Sequence, residues 1–89
     1  MQRERDRYLV YILECSDGTL YTGITNDINR RVEQHNGKRP GGAQYTRTRS
    51  PVRVVYTEEC KGRSDALKRE HTIKNLPRME KVKLLQTGI

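Results

Sequence analysis

Residues 8–24 read YLVYILECSDGTLYTGI, and this stretch decides the fold. Its first half, YLVYILEC over 8–15, is aliphatic, β-branched or aromatic on both alternating faces, the pattern of a central strand buried on two sides. Ser16-Asp17-Gly18 is a hairpin signal, and TLYTGI over 19–24 reads as the returning strand. Two registers are open. A two-residue Asp-Gly turn would pair Tyr11 with Ile24 and put Tyr11 and Tyr21 on opposite faces. A three-residue loop with Gly18 left-handed would pair Leu13 with Tyr21 and Tyr11 with Gly23. In that second register, which local sequence favours slightly, Tyr11, Tyr21 and Gly23 share one face.

Working outward, Thr25, Asn26 and Asp27 offer N-cap oxygens to a helix over about 27–36, closed by Asn36-Gly37. Residues 37–50, GKRPGGAQYTRTRS, are cationic and glycine-rich without apolar periodicity, a basic loop expected to be mobile at its tip. After Pro51, VRVVYTE reads as a third strand. Ser64 and Asp65 would cap a helix near 65–75, and Pro77 suits the first turn of a last helix near 77–86. The order β-β-α-β-α-α predicts an α+β protein: a small three-stranded antiparallel sheet flanked by helices. Residues 1–89 read as a single domain, with its core at about 8–86 and residues 1–6 expected to be flexible.

The composition narrows the function. The chain has 18 Lys and Arg against 11 Asp and Glu, a net charge of +7. Such an excess favours a polyanionic partner, although charge alone does not separate nucleic acid from a merely basic surface. Cys15 and Cys60 stand far apart without a CxxC neighbour, which argues for free buried thiols in a reducing cytoplasm rather than a disulfide or zinc site. His35 and His71 add no ligand spacing that would rescue zinc. The charged start MQRERDR and the lack of a long apolar run predict neither a signal peptide nor a membrane span.

Three polar features are out of place for a simple core. Two strand tyrosines beside Gly23 would leave an open floor for a substrate backbone, although tyrosines also fill cores that lack Phe. In the first helix Ile28, Val32, Arg31 and His35 fall in one arc about 100° wide, so an inward face carries an Arg and a His. A buried Arg needs an anion; the plain alternatives are that Arg31 snorkels and His35 caps the helix. In the 65–75 helix, Glu70 projects into a stripe of Ala66, Leu67, Ile73 and Leu76. A core-facing carboxylate needs a cation, a metal or many donors. One carboxylate cannot close a calcium cage, but it can hold a divalent ion that keeps waters and takes phosphate oxygens. An ion pair from Glu70 to Arg31 or Arg69 is the commoner outcome.

Taken together, these residues resemble the GIY-YIG nuclease superfamily, closest to its small stand-alone bacterial members, from Tyr8 to about Leu85. Leu9-Val10-Tyr11 and Tyr21-Thr22-Gly23 correspond to its two half-motifs, followed in order by Arg31, His35 and Glu70. Leu9 stands where the first half-motif has Gly, and Val10 and Thr22 where both have Ile; the chemical positions Tyr11, Tyr21 and Gly23 keep the family's residues. The resemblance implies a metal-dependent endonuclease hydrolysing DNA phosphodiester bonds, structure-specific in repair or recombination, with RNA left open as a substrate. It implies that Tyr11, Tyr21, Arg31, His35 and Glu70 converge on one solvent-open cleft. Glu70 would bind Mg2+ or Mn2+. Tyr11 would help to activate water with His35 as relay, Tyr21 would hold the phosphate or share the proton transfer, and Arg31 would neutralise the transition state. Asn75 matches a late polar residue of some members.

Lys38, Arg39, Arg47 and Arg49 would track the sugar-phosphate backbone while Tyr45 stacks on a base, and Gly23 would let that backbone approach. A free tyrosine has a pKa near 10, so a tyrosine base needs cationic neighbours. Larger relatives carry targeting modules, so the resemblance implies either loose substrate choice here or a protein partner that supplies targeting. The competing reading is a non-catalytic nucleic-acid-binding module on the same basic surface.

Overall fold

The computed structural model describes residues 7–42, 46 and 48–87. The elements follow as β1 (Tyr8–Glu14), β2 (Leu20–Thr25), α1 (Ile28–His35), β3 (Arg53–Cys60), α2 (Arg63–Lys74) and α3 (Arg78–Thr87). The three strands form one antiparallel sheet in the order β2-β1-β3. The expected α+β architecture and its element order are therefore present. Residues 1–6, Tyr45, Arg47 and the tip of the basic loop lie outside the described residues.

The β1–β2 hairpin takes the three-residue loop. Gly18 adopts φ 83°, and Cys15 and Thr19 close the loop, the Cys15 amide donating to the Thr19 carbonyl at 2.9 Å. The Asp17 carboxylate accepts from the Thr19 amide at 3.1 Å and from its hydroxyl at 2.6 Å, which fixes the turn locally. The register pairs Tyr11 with Gly23 and Leu13 with Tyr21. β3 carries one extra residue opposite the Ile12–Leu13 step, a bulge in an otherwise regular ladder.

Because β1 is central, its alternate side chains feed two cores. Val10 and Ile12 pack with Ala66 and Ile73 of α2, joined by Leu84 and Leu85 of α3. Tyr11 and Leu13 pack with Cys15 and Val52, joined by Tyr21, Ile28 and Val32. Helix α1 thus covers one face of the sheet and α2 with α3 the other. Each fully buried aliphatic side chain contributes about 1.5–3 kcal/mol, so two thin cores sharing one strand stabilise a chain that lacks Phe and Trp.

Two expectations for α2 need correction. The helix begins at Arg63 with Gly62 as N-cap and no side-chain cap, so Ser64 and Asp65 lie inside its first turn. The Gly62 carbonyl already accepts from the Ala66 amide at 3.0 Å, which starts the helix ahead of both residues. Leu67 is exposed, because packing centres on the Ala66–Ile73 line and Leu67 sits about 100° round from it. Cys15 is buried and Cys60 half-buried, both as free thiols.

Candidate active site

The cluster is built on α1. Asp27 caps this helix, its carboxylate accepting from the Arg30 amide at 3.2 Å, and Thr25 ties the cap to the end of β2. That start sets the helical phase, turning Arg31 and His35 to the sheet while Arg30 stays exposed. At the other end Asn36 grips Val52 at two points. Its side-chain oxygen accepts from the Val52 amide at 2.7 Å, and its amide nitrogen donates to the Val52 carbonyl at 3.2 Å. The end of α1 is thereby fastened to the chain entering β3, and the basic loop runs between these two clamped points.

Tyr11 lies at the centre. Its hydroxyl meets His35 Nε2 at 2.9 Å and accepts from Arg31 Nε at 3.3 Å. His35 Nδ1 meets the Thr46 hydroxyl at 2.8 Å. The Tyr21 ring packs edge-on against His35, with centroids 5.1 Å apart, so both phenols share one face of the sheet. Arg31 Nη1 donates to the Gln34 side-chain oxygen at 2.9 Å and to the Gly41 carbonyl at 2.8 Å. No carboxylate neutralises Arg31 among the described residues, and its Nη2 donates to none of them.

Two expectations change here. Gly23 leaves no open floor: a Cβ at this position would stand 2.5 Å from the Tyr11 oxygen, so the phenol itself fills the space. Nor do all five side chains open to solvent. Tyr11 is 0% and His35 1% exposed, while Tyr21, Arg31 and Glu70 are half-buried. Burial drives the titration of the sealed pair. It pushes the Tyr11 phenol up to about 12, opposed by Arg31 and reinforced by the charges of Tyr21 and Glu70. Burial, then the Arg31 charge, brings His35 down to about 4, so its imidazole is neutral at pH 7.

Glu70 comes from α2, in the layer on the other side of the sheet, where that helix packs along β2 and β1. Its charge reaches the Tyr11 phenol. The ion pair that sequence alone favoured does not form. Arg69 is held by Glu58 at 2.7 Å, Arg31 by the neutral partners above, and Glu70 has no hydrogen bond or ion pair among the described residues. No group of three His, Cys, Asp or Glu side chains gathers among the described residues. The donor set therefore fits a hydrated divalent ion completed by phosphate oxygens, not a closed cage.

The surface cations are less uniform than expected. Arg39 pairs with Glu33 at 3.3 Å and Arg49 with Asp17 at 3.0 Å, which docks the loop against the hairpin; the Lys38 side chain is exposed. Asn75 caps the C-terminus of α2, donating to the His71 carbonyl at 2.7 Å. Sequence reasoning missed Thr46. No periodicity singles out a threonine in a polar loop, and only its burial against His35 reveals it.

This arrangement defines a class. The family model of the GIY-YIG catalytic domain matches residues 7–83, and the chain belongs to that family, a family of nucleases. Among its relatives are small bacterial proteins of similar length. The UPF0213 protein of Desulfotalea psychrophila is 49% identical over 87 residues, covering 98% of this chain and 78% of that protein. Its counterpart in Staphylococcus aureus strain Mu3 is 51% identical over 81 residues, covering 91% and 96%. Two solved structures share the fold. The UPF0213 protein BH0048 from Bacillus halodurans aligns with a TM-score of 0.59 at 43% identity, over 92% of this chain and 86% of that one. The protein EF2693 from E. faecalis gives 0.61 at 38% identity, over 98% and 90%. No helix among the described residues is long and apolar enough to cross a membrane.

Proposed function

We propose that this domain is an endonuclease that hydrolyses DNA phosphodiester bonds with the help of one divalent metal ion held by Glu70. The observation that carries this reading is the half-buried Glu70 carboxylate, which has neither hydrogen bond nor ion pair among the described residues, in electrostatic reach of Tyr11. A half-buried carboxylate without a protein partner is free to take a cation, which would complete it. When bound, Mg2+ or Mn2+ would polarise the phosphate and stabilise charge on the leaving oxygen.

The chain's own residues supply the rest. Arg31 binds the scissile phosphate. Its present partners are neutral oxygens, so a phosphate competes for it on favourable terms and the guanidinium then faces the charge of the pentavalent transition state. Drawing Arg31 toward phosphate also uncovers the Tyr11 oxygen. A water proton passes to Tyr11 as the Tyr11 proton passes to His35 Nε2; the hydroxide attacks phosphorus and the P–O bond to the leaving strand breaks. The departing oxygen takes a proton from solvent water, and His35 gives its proton back to solvent through Tyr11. Tyr21, half-buried beside His35, contacts the phosphate and orders the water. Lys38, Arg39 and Arg49 track the backbone, with Arg39 and Arg49 exchanging exposed ion pairs that are worth little for phosphate contacts. Asn75, which caps the C-terminus of α2 beyond Glu70, positions that end of the helix. Branched repair or recombination intermediates are the proposed substrates, with targeting from a protein partner.

The test incubates the protein with branched, nicked and plain duplex DNA in Mg2+ or Mn2+, and in excess chelator. Metal-dependent cleavage is expected; tight binding without cleavage in either metal would instead establish a binding module.

A further inference from the structure

Tyr11 and His35 are buried together, and a buried hydroxyl hydrogen must find an acceptor. Among the described residues the Tyr11 oxygen has two polar neighbours. Arg31 Nε can only donate. The single acceptor left for the Tyr11 hydrogen is His35 Nε2, at 2.9 Å. A neutral imidazole carries one N–H, so if Nε2 accepts, the proton sits on Nδ1. Nδ1 in turn faces the Thr46 hydroxyl at 2.8 Å, which must then accept from it. Thr46 is 0% exposed, although it belongs to the polar basic loop, so its place is not that of a solvated loop residue.

We propose that Thr46 is a positioning residue that, acting with the Tyr11 hydroxyl on the opposite ring nitrogen, holds His35 as the Nδ1–H tautomer, so that Nε2 stands ready to take the Tyr11 proton. This inference rests on the nuclease reading for its catalytic consequence, and on hydrogen-bond geometry for the tautomer. When the proton moves from Tyr11 oxygen to Nε2, the imidazole becomes a cation donating from both nitrogens. The Nδ1–H to Thr46 bond persists through the step and strengthens as charge appears on the ring. The loop is the origin of this contact, and the same loop places the Gly41 carbonyl on Arg31 at 2.8 Å. Residues of the basic loop therefore touch both the proton acceptor and the phosphate-binding cation. A loop displaced from its seat would release His35 and Arg31 together.

The experiment compares wild type, Thr46→Ser and Thr46→Val by long-range 1H–15N correlation of the histidine rings, alongside cleavage kinetics on a branched DNA with Mg2+. Wild type and Thr46→Ser should show His35 with a pyrrole-type Nδ1 and a pyridine-type Nε2. Thr46→Val should shift the ring toward the Nε2–H form and lower kcat roughly 100-fold, in the range of acid–base contributions, with KM for DNA little changed. An Nε2–H ring in wild type overturns the assignment, and does so even should Thr46→Val fail to fold. A folded Thr46→Val with the wild-type tautomer, or with wild-type kcat in an active enzyme, also overturns it. Should wild type cut no DNA in either metal, the nuclease reading fails by itself, and the ring shifts still decide whether Thr46 governs His35.

Discussion

A Cβ on Gly23 would stand 2.7 Å from Cζ of Tyr11 as well as overlapping its hydroxyl, so the glycine of the second half-motif is required by the phenol across the ladder. Gly23→Ala should destabilise by about 1–3 kcal/mol through overpacking. Removing the hydroxyl with Tyr11→Phe should relieve part of that loss. Chemical denaturation of both single variants and the pair should show the pair less unstable than the two added together; strict additivity would mean the side chains do not meet. His35 provides a second test. Its folded value near 4 lies below the 6.5 of an unfolded histidine, so between those values the unfolded chain binds more protons. The neutral ring's contribution is complete above pH 6.5 and is lost as pH falls toward 4. At about 1.4 kcal/mol per pKa unit this approaches roughly 3 kcal/mol. Urea denaturation across that window should show the loss in wild type and a flatter dependence in His35→Gln; equal slopes would show that the imidazole is not held neutral. Arg31 and His35 stand out in sequence because polar groups break an apolar pattern, and Tyr11 stands out only through the half-motif resemblance. The sealing of Tyr11 was not legible, since burial depends on residues brought in from α1 and the loop.

Hairpin, helix and loop differ in how far local chemistry determined them. The β1–β2 register follows from Gly18, whose left-handed φ permits the three-residue loop and brings Tyr11 opposite Gly23. Helix α1 follows equally from Asp27 and Asn36. Helix α2 departs from its sequence signals at its start and along one edge, because Gly62 outpaces the better side-chain caps and tertiary packing selects the Ala66–Ile73 line over Leu67. Ile73→Ala should therefore cost about 2–5 kcal/mol. Leu67→Ala, at an exposed position, should stay within about 1 kcal/mol. Thermal or urea unfolding of both variants checks the contrast, and a reversed order would show that the helix packs on another face. Asn36 bonds both polar groups of the Val52 backbone, a pairing with no sequence signal because its partner lies 16 residues away.

Two cores flank one shared central strand, and the candidate site sits on the α1 face while its acid arrives from the α2 layer. Packing on both faces of β1 thus fixes the relation between Glu70 and the tyrosines, a relation that the ordered motif announced but no single element determined. The charge of +7 belongs to this scale as well. DNA affinity should fall steeply with salt, log K declining by about 0.9 per neutralised phosphate against log salt. Lys38→Ala should reduce that slope by about 1 across unrelated sequences, and an unchanged slope would remove Lys38 from the interface. The central claim is that an uncompensated carboxylate, poised near a buried tyrosine, completes a hydrolytic site. Its most direct test is the cleavage rate of Glu70→Ala on a branched DNA in Mg2+, measured beside its DNA affinity. Loss of cleavage by at least about 100-fold with affinity retained is the predicted result; cleavage at the wild-type rate would contradict the account.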